Sequence, residues 1–473
     1  MKNTNLVYGV NDKPGLWKTF VFALQQVLAV LAATIAVPAI IGNGMSQSAA
    51  LFGAGVGTII YLLFTKFNSP VFLGSSFAFI SSMFAAFSGA GAYLSLGYLG
   101  LIIGAVFAGL VYVVIAIIIK YAGVNWIDKI MPASVIGPTV AVIGLSLSAN
   151  AIKDAVMRMA QNPDNSNAYI MNVTGFIGLF CALVTLLTVV ICSVYGKKMM
   201  KMIPFIIGIG AGYLTATIFT IIGTIADVPE LIIINFSLFK EMKWLPEFTF
   251  IEAFKGLSVE NFNWGAFIAS LAVAYVPVAF VVFAEHLADH KNISSIIGKD
   301  LTKDPGLHRT LLGDGIGSMF GAFFGGCPNT TYGESVGCVA ISGNASIVTI
   351  LTAAITCIVA SFLAPFVTLL ATIPACVMGG VCISLYGFIA VSGLKMIQKV
   401  NLNENRNLFT VSVILIAGVG GMALEIGKIT LTAVACALIL GIIVNLITSK
   451  VEKEDGNCEC KDAEVVCEEQ KAE

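Results

Sequence analysis

Charged residues are scarce in this sequence. Only 11% of the 473 residues are charged, whereas a soluble globular protein carries about 25%. The 26 Lys and Arg residues nearly balance the 27 Asp and Glu residues, so the chain lacks the basic field that would attract nucleic acid. With 58% hydrophobic residues and a mean hydropathy of +0.92, the composition predicts a chain whose main solvent is a lipid bilayer.

Residue patterns of common enzyme and metal sites are also few. The chain has three histidines, no H-E-x-x-H motif and no pair of Cys-x-x-Cys motifs. Several of its 11 cysteines interrupt apolar runs, Cys181 and Cys357 among them, and a thiol behaves there as a small hydrophobic group. The sequence predicts a protein that is not an enzyme and that needs no metal or cofactor.

Long apolar runs dominate the chain. A helix needs about 20 apolar residues to cross the hydrocarbon layer. Suitable runs cover residues 17–41, 48–66, 92–120, 131–150, 169–194, 201–225, 264–289, 308–326, 345–371, 374–395, 406–424 and 429–448. Two further segments, from Pro70 to Gly89 and from Pro328 to Gly343, are shorter and more polar. Counting both, the sequence predicts an all-α membrane protein with fourteen transmembrane segments.

The distribution of charge in the loops predicts the orientation. Lysines and arginines cluster in some connections, whereas the loop from Asp227 to Glu260 is acidic. The positive-inside rule places the basic loops in the cytoplasm. Because the number of crossings is even, both termini are expected in the cytoplasm, in a multi-pass protein of the cell membrane. Residues 450–473 hold nine acids and four bases and are predicted to form a disordered cytoplasmic tail.

Two short motifs occur twice in the same order. Residues 132–137 read P-A-S-V-I-G and residues 374–379 read P-A-C-V-M-G, while G-V-G-T at 55–58 matches G-I-G-S at 315–318. Each Gly motif leads into one of the short polar segments. Paired broken segments are typical of transporters built from repeats. Seven crossings in each half is an odd number, so the sequence predicts two inverted repeats of seven, with the substrate site between them.

The two short segments share a predicted design. In each, a proline opens a short extended stretch with β-forming residues, a glycine follows (Gly74 or Gly333), and a half-helix can then begin. Extended backbone at membrane depth is tolerated only where it is buried in protein or lines a cavity. Helix starts there offer free N–H groups and partial positive charge. Glu334 is expected at the second start, where its carboxylate would accept hydrogen bonds from a ligand.

A second acidic pair follows the apolar run of residues 264–289. Glu285 and Asp289 are four residues apart and therefore share a helix face. Acids inside a membrane are functional-site candidates, with proton relays among their known roles. The alternative is a helix that ends near Glu285 and leaves these charges at the membrane rim. His286 and His290 point to other faces of the helix, and a structural or interfacial role is expected for both.

Three stretches together carry a family resemblance: L-G-S-S-F-A-F-I at 73–80, A-E-H-L-A-D-H at 284–290 and P-N-T-T-Y-G-E at 328–334. With D-P-G-L-H-R at 304–309 and S-L-Y-G at 384–387, the chain resembles the uracil permeases of the nucleobase–ascorbate transporter family. The resemblance runs from about Gly9 to about Ile447. It implies the inverted-repeat fold, with a core domain that holds the two broken segments and a gate domain.

The resemblance also implies domain boundaries and site residues. The core would comprise residues 1–125 and 229–371, and the gate residues 126–228 and 372–449. Substrate would bind at Phe77, Glu285, Gly333, Glu334 and Tyr386, and Glu285 with Asp289 would couple transport to protons. The expected function is proton-coupled import of a nucleobase, uracil first, by alternating access. The expected partners are the base, the proton and membrane lipid, and a homodimer is left open.

The sequence departs from the family pattern at some positions. Where the family has a glutamine–histidine pair in the first helix, this chain has Gln25 and Gln26. Asp289 stands in place of a histidine, and Ser335 in place of an asparagine that commonly follows the site glutamate. These differences leave another base such as xanthine open. An anion transporter on the same architecture is a further alternative, although it would favour Arg or Lys at the paired helix starts.

Overall fold

The computed structural model describes residues 6–123, 125–157, 161–162, 165–197, 199–260, 262–426 and 429–448. The predicted tail at 450–473 lies outside these residues. The helices are α1 (Leu16–Ile41), α2 (Gln47–Phe64), α3 (Ile80–Ala90), α4 (Leu94–Ala122), α5 (Asn125–Ile130), α6 (Ala133–Ser146), α7 (Ser148–Ala155), α8 (Val173–Tyr195), α9 (Met199–Met202), α10 (Pro204–Ala226), α11 (Thr249–Gly256), α12 (Trp264–Ile297), α13 (Leu307–Gly325), α14 (Gly333–Ser342), α15 (Ile347–Ser361), α16 (Ala364–Ala371), α17 (Ala375–Ile397), α18 (Asn405–Val419) and α19 (Ala433–Thr448).

The strands are short and form three antiparallel pairs among the described residues. They are β1 (Leu73–Ser75), β2 (Gln161–Asn162), β3 (Asn165–Tyr169), β4 (Asn329–Thr331), β5 (Leu424–Ile426) and β6 (Ile429–Leu431). β2 pairs with β3 and β5 with β6, each between neighbours in the chain, whereas β1 pairs with the distant β4. The β1–β4 pair joins the two broken segments that the sequence singles out.

The chain is a mostly helical membrane protein. Within the described ranges, eight helical segments are long and apolar enough to cross a membrane, or nine if α15 and α16 form one bent span. Many of their side chains remain exposed on the outside of the bundle, for example Ile225 at 82% and Ile416 at 76%. Such apolar surface suits a lipid environment, because lipid tails are as apolar as the side chains that they contact.

The helices pack as two sets. Helices α1–α4 pack with α11–α15, and helices α6–α8 and α10 pack with α17–α19. Small residues allow close crossings within each set. A Cβ atom on Gly57 would lie 2.9 Å from the carbonyl oxygen of Gly317, where α2 crosses α13. A Cβ atom on Gly393 would lie 2.5 Å from the carbonyl oxygen of Gly137, where α17 crosses α6.

Two predicted spans are each divided between two helices. Residues 345–371 form α15 and α16, which meet at an angle of 82°, because Pro365 has no N–H to continue the helical ladder. Residues 131–150 divide between α6 and α7.

The spans predicted at 406–424 and 429–448 are shortened by the β5–β6 hairpin. Gly421, with φ of +70°, adopts a left-handed conformation that ends a helix and that glycine accepts at low cost.

Candidate functional site

The pairing of β1 with β4 brings the two broken segments together. Leu73 lies opposite Thr331, Gly74 opposite Thr330, and Ser75 opposite Asn329. Gly74 is required for close approach, because a Cβ atom there would lie 2.5 Å from the Tyr332 ring. The Tyr332 hydroxyl in turn donates a hydrogen bond to the carbonyl oxygen of Ser75. The buried backbone N–H and C=O groups of each segment thus find hydrogen-bond partners on the other segment. Extended backbone inside a membrane needs such partners, because no water is available there.

A helix begins directly after each of these strands. The first starts as a 3-10 turn at Phe77–Phe79 and continues as α3, while the second is α14 from Gly333. The Ser76 amide donates to the carbonyl oxygen of Pro328 at 2.9 Å, which ties the two starts together. Ser76 occupies the N-cap position of the first start, but its hydroxyl does not cap the helix. Glu334 lies in the first turn of α14, as the sequence predicts.

A cavity of about 500 Å³ opens between these helix starts and the second helix set. One wall consists of Phe77, Ala78, Glu285, Asp289, Thr330, Tyr332, Gly333 and Glu334. The opposite wall is mostly apolar and comes from α6, α10 and α17, including Val140, Phe205, Leu385 and Phe388. Lys201 is the one basic side chain among the described residues that line the cavity. Four of the five predicted substrate residues, with Asp289, therefore meet at one site.

The acidic pair lies on one long helix. α12 continues past both acids to Ile297, so the alternative of a helix that ends near Glu285 is wrong. The Glu285 side chain is exposed to the cavity, whereas Asp289 is 7% exposed. The Thr331 hydroxyl donates to Asp289 Oδ2 at 2.9 Å. Asp289 is thus held against strand β4, while Glu285 is free to meet a ligand.

Two aromatic rings meet where the two helix sets face each other. Phe77 and Tyr386 pack edge to face with ring centroids 5.8 Å apart. Tyr386 is 2% exposed and does not itself line the cavity, although its neighbour Leu385 does. The buried Tyr386 hydroxyl lies beside the Cys382 thiol, and it has no partner with hydrogen-bond geometry within the described chain.

The strand register corrects one detail of the predicted design. Gly74 and Gly333 are not counterparts, because Gly74 is the central residue of β1 and Gly333 is the first residue of α14. Since Gly74 pairs with Thr330, the same count along the chain makes Phe77 the counterpart of Gly333, and Ala78 the counterpart of Glu334. The two glycines look alike in sequence, but Gly74 belongs to a strand and Gly333 to the start of a helix.

A buried His–Asp pair lies behind the acidic pair. His286 and Asp314 are both fully buried, and His286 Nδ1 lies 2.7 Å from Asp314 Oδ2. His290 stacks on His286 with ring centroids 4.0 Å apart and lies 2.6 Å from the Tyr61 hydroxyl. Both histidines thus pack inside the first helix set. Asp314 is not among the residues that the sequence motifs predicted for the site, although an acid within the apolar stretch L-L-G-D-G-I-G is itself a recognisable signal.

Two of the departures from the family pattern contact each other. Gln26 on α1 donates from its side-chain amide to the Ser335 hydroxyl on α14. Ser335 also accepts the Phe72 amide at 3.0 Å, so it joins three elements beside Glu334. Residues 333–337 read G-E-S-V-G and match the G-x-S-x-G pattern of hydrolases. Ser335 is fully buried and its oxygen is occupied by these donors, so the match does not form a nucleophile.

The sequence matches one family over most of its length. The Permease family pattern covers residues 17–427. A uracil permease of Bacillus subtilis is 37% identical over 96% of this chain and 98% of its own length. A uracil permease of Bacillus caldolyticus is 36% identical over 93% and 94% of the two chains. A uracil permease of Escherichia coli K12 is 34% identical over 98% and 99%.

Solved structures share the fold at much lower identity. The transmembrane domain of the cyanobacterial bicarbonate transporter BicA aligns with a TM-score of 0.58 at 17% identity, over 93% of this chain and 99% of that one. Murine Solute Carrier 26 family member A9, an anion transporter in the inward-facing state, aligns with a TM-score of 0.65 at 10% identity, over 93% and 69%. At such identities the likeness concerns the fold alone.

Proposed function

We propose that this chain, which belongs to the permease family, imports uracil across the cell membrane together with a proton. Its relatives are permeases, which are transporters rather than enzymes, and their names make a nucleobase the substrate class. The observation that carries the proposal is the cavity in which Glu285 and Glu334 face the same space beside two helix starts. The anion alternative is not favoured, because the anion transporters share only the fold while the uracil permeases share 34–37% of the sequence.

The cavity offers a partner for each polar edge of uracil. The base presents ring N–H donors and carbonyl acceptors in one plane. Carboxylates accept hydrogen bonds only, so Glu285 and Glu334 would take the N–H groups. Backbone N–H groups at the starts of α3 and α14 would donate to the carbonyls. The Phe77 ring would cover the face of the base, since stacking on an aromatic is worth about 1–3 kcal/mol per base.

The fourteen segments and their inverted repeats belong to the proposal. The fourteen would be α1, α2, α3, α4, α6 with α7, α8, α10, α12, α13, α14, α15 with α16, α17, α18 and α19. Three observations support two related halves. The repeated Gly57 and Gly317 face each other. Pro132 and Pro374 both occupy N-cap positions. The antiparallel β1–β4 pair places equivalent residues across one local two-fold axis.

In this proposal the first helix set is the core and the second helix set is the gate. Residues 1–125 and 229–371 hold both broken segments and the acids, and residues 126–228 and 372–449 supply the apolar wall. Because the cavity lies between the sets, motion of one set against the other would open it to alternate sides of the membrane. Basic residues such as Lys120, Lys129 and Lys395 favour the orientation with both termini in the cytoplasm.

Proton coupling would rest on Glu285. In this proposal Glu285 takes a proton from outside, binds the base together with Glu334, and releases both inside. Asp289, held by Thr331 one turn away, shares the face of α12 and disfavours a second negative charge there. Replacing Glu285 with Gln, which cannot release a proton, should leave uracil exchange but abolish its response to an imposed pH gradient. The exposed Glu230→Gln variant is the matched control and should respond as the wild type does.

A ligand panel on purified protein tests the substrate. A ligand that binds only the folded state raises the melting temperature in proportion to the logarithm of its concentration over Kd. Uracil should raise the melting temperature more than xanthine, adenine or bicarbonate at equal concentration. A larger rise with xanthine would replace uracil by another base. A rise with bicarbonate alone would reject a nucleobase transporter.

A further inference from the structure

An apolar groove lies on the outside of the bundle, away from the cavity. Its volume is about 490 Å³, within the roughly 300–1,000 Å³ of typical ligand pockets. Side chains of α4, α5, α12 and α19 line it, and every one is apolar except for the indole N–H of Trp126. α4 and α12 belong to the first helix set and α19 to the second. The groove therefore lies at a seam between the two sets.

The groove has the length of one bilayer leaflet. On α4 its lining runs from Phe107 to Ile118, a rise of about 16 Å at 1.5 Å per residue. The hydrocarbon core of a bilayer is about 30 Å thick, so one leaflet is about 15 Å. Phe107 lies near the middle of the 29-residue helix α4, and Ile118 lies one turn before its end. An acyl chain of the leaflet on that side would match the groove from end to end.

Among the described residues that line the groove, the one polar group lies at its outer end. Trp126 lines the groove there, and its indole N–H is buried without a hydrogen-bond partner in the described chain. Lys129 is exposed near the end of α5, and the described residues include no ion pair for it. Lys129 follows Trp126 by three residues and so lies near it on α5. A hydrogen-bond donor and a cation at this end of an apolar groove complement an ester oxygen and an anionic phosphate.

We infer that this groove binds one anionic phospholipid of the leaflet next to Lys129. One acyl chain would lie along α4 between α12 and α19, the Trp126 N–H would donate to an oxygen of the lipid, and Lys129 would contact the phosphate. Because α12 also carries Glu285, and the groove wall includes Phe283 two residues away, the lipid would touch both the substrate helix and the second helix set. Its presence would favour the arrangement of the two sets in this structure.

Native mass spectrometry of the full-length protein tests the site. Delipidated protein is titrated with phosphatidylglycerol, phosphatidylcholine or free inorganic phosphate. The wild type should bind one phosphatidylglycerol in preference to phosphatidylcholine and should not retain free phosphate. The variant K129Q should lose this preference by about 5-fold, since a lysine near an anionic surface contributes a factor of about 5. The variant K66Q, with an exposed lysine elsewhere, should keep it.

A second pair of variants separates the groove from its charges. Val114 lines the groove and Val190 lies on the outer surface of α8. Val114→Trp should reduce binding of both phospholipids at least tenfold, while the matched Val190→Trp should not. Equal retention of phosphatidylglycerol by wild type, Val114→Trp and K129Q would overturn the proposal. Because lipid binding is read without substrate, a failure of uracil to bind would count against the proposed function only.

Discussion

The two broken segments have one backbone design and different side-chain chemistry. Each is a three-residue strand followed by a helix start, and the strands pair with each other. Where the second segment places Gly333 and Glu334, the first places Phe77 and Ala78. Both starts therefore offer backbone N–H donors, and at these two positions the second adds a carboxylate whereas the first adds a ring. Under the proposed function, the first segment would cover the face of the flat base and the second would bind its edge.

The largest effect on uracil affinity is expected when the carboxylate that distinguishes the second segment is removed. Glu334→Ala gives the second segment the side chain that the first already has at Ala78. Loss of a hydrogen bond to a charged group costs about 1.5–3 kcal/mol, so uracil affinity should fall about 100-fold in isothermal titration. Glu404→Ala, an exposed acid before α18, is the control. Wild-type affinity in Glu334→Ala would show that the edge of the base is bound elsewhere.

Alanine in place of the two glycines should separate folding from binding. At Gly74 the new Cβ would meet the Tyr332 ring at 2.5 Å, whereas at Gly333 the nearest atom, Asp289 Oδ1, is 3.8 Å away. Overpacking of a tight core costs about 1–3 kcal/mol. Gly74→Ala should therefore lower the melting temperature by several degrees.

Gly333→Ala should melt like the wild type, while its methyl group, which faces the cavity, weakens uracil binding. The same melting temperature for both variants would contradict the strand register that pairs Gly74 with Thr330.

Phe77 tests the other half of the comparison. Phe77→Leu keeps an apolar side chain of similar size but removes the flat ring, so uracil affinity should fall about tenfold by loss of stacking. Phe320→Leu, on the outer surface of α13, should leave affinity unchanged. If Phe77→Leu binds uracil normally, the ring serves only to pack against Tyr386.

The smallest effect on uracil affinity is expected from the hydrogen bond between Gln26 on α1 and Ser335 on α14. Ser335→Ala removes the acceptor of Gln26 and of the Phe72 amide, and each net hydrogen bond is worth about 1 kcal/mol. Uracil affinity should fall about threefold, because Glu334 is held less firmly. Gln26→Leu added to Ser335→Ala should cause little further loss. Additive losses in this double-mutant cycle would show that the two residues act independently.

Much of the site was predictable because its signals are local. Glu285 and Glu334 are acids in apolar surroundings, and proline with glycine marks the breaks in the helices. These patterns correctly predicted a membrane protein, a half-helix that begins just before Glu334, and the shared face of Glu285 and Asp289. Family membership, also inferred from quoted motifs, is confirmed by the match over residues 17–427.

Other features depend on contacts between residues far apart in the chain. The bend between α15 and α16, the partnership of His286 with Asp314, and the bond from Gln26 to Ser335 have no strong local signature. Gln26 and Ser335 are 309 positions apart, and only packing decides that they meet. The register of β1 against β4 also corrects the apparent equivalence of Gly74 and Gly333.

By itself, the sequence determined that this chain is a helical membrane protein, because apolar length and helix-breaking residues act within one segment, and its motifs identified the permease family. Only the tertiary structure decided which side chains share the cavity, which residues contact and hold them, and which helices enclose the apolar groove. These depend on how helices from distant parts of the chain cross. Such crossings are set by the close fit of small residues such as Gly57 against Gly317.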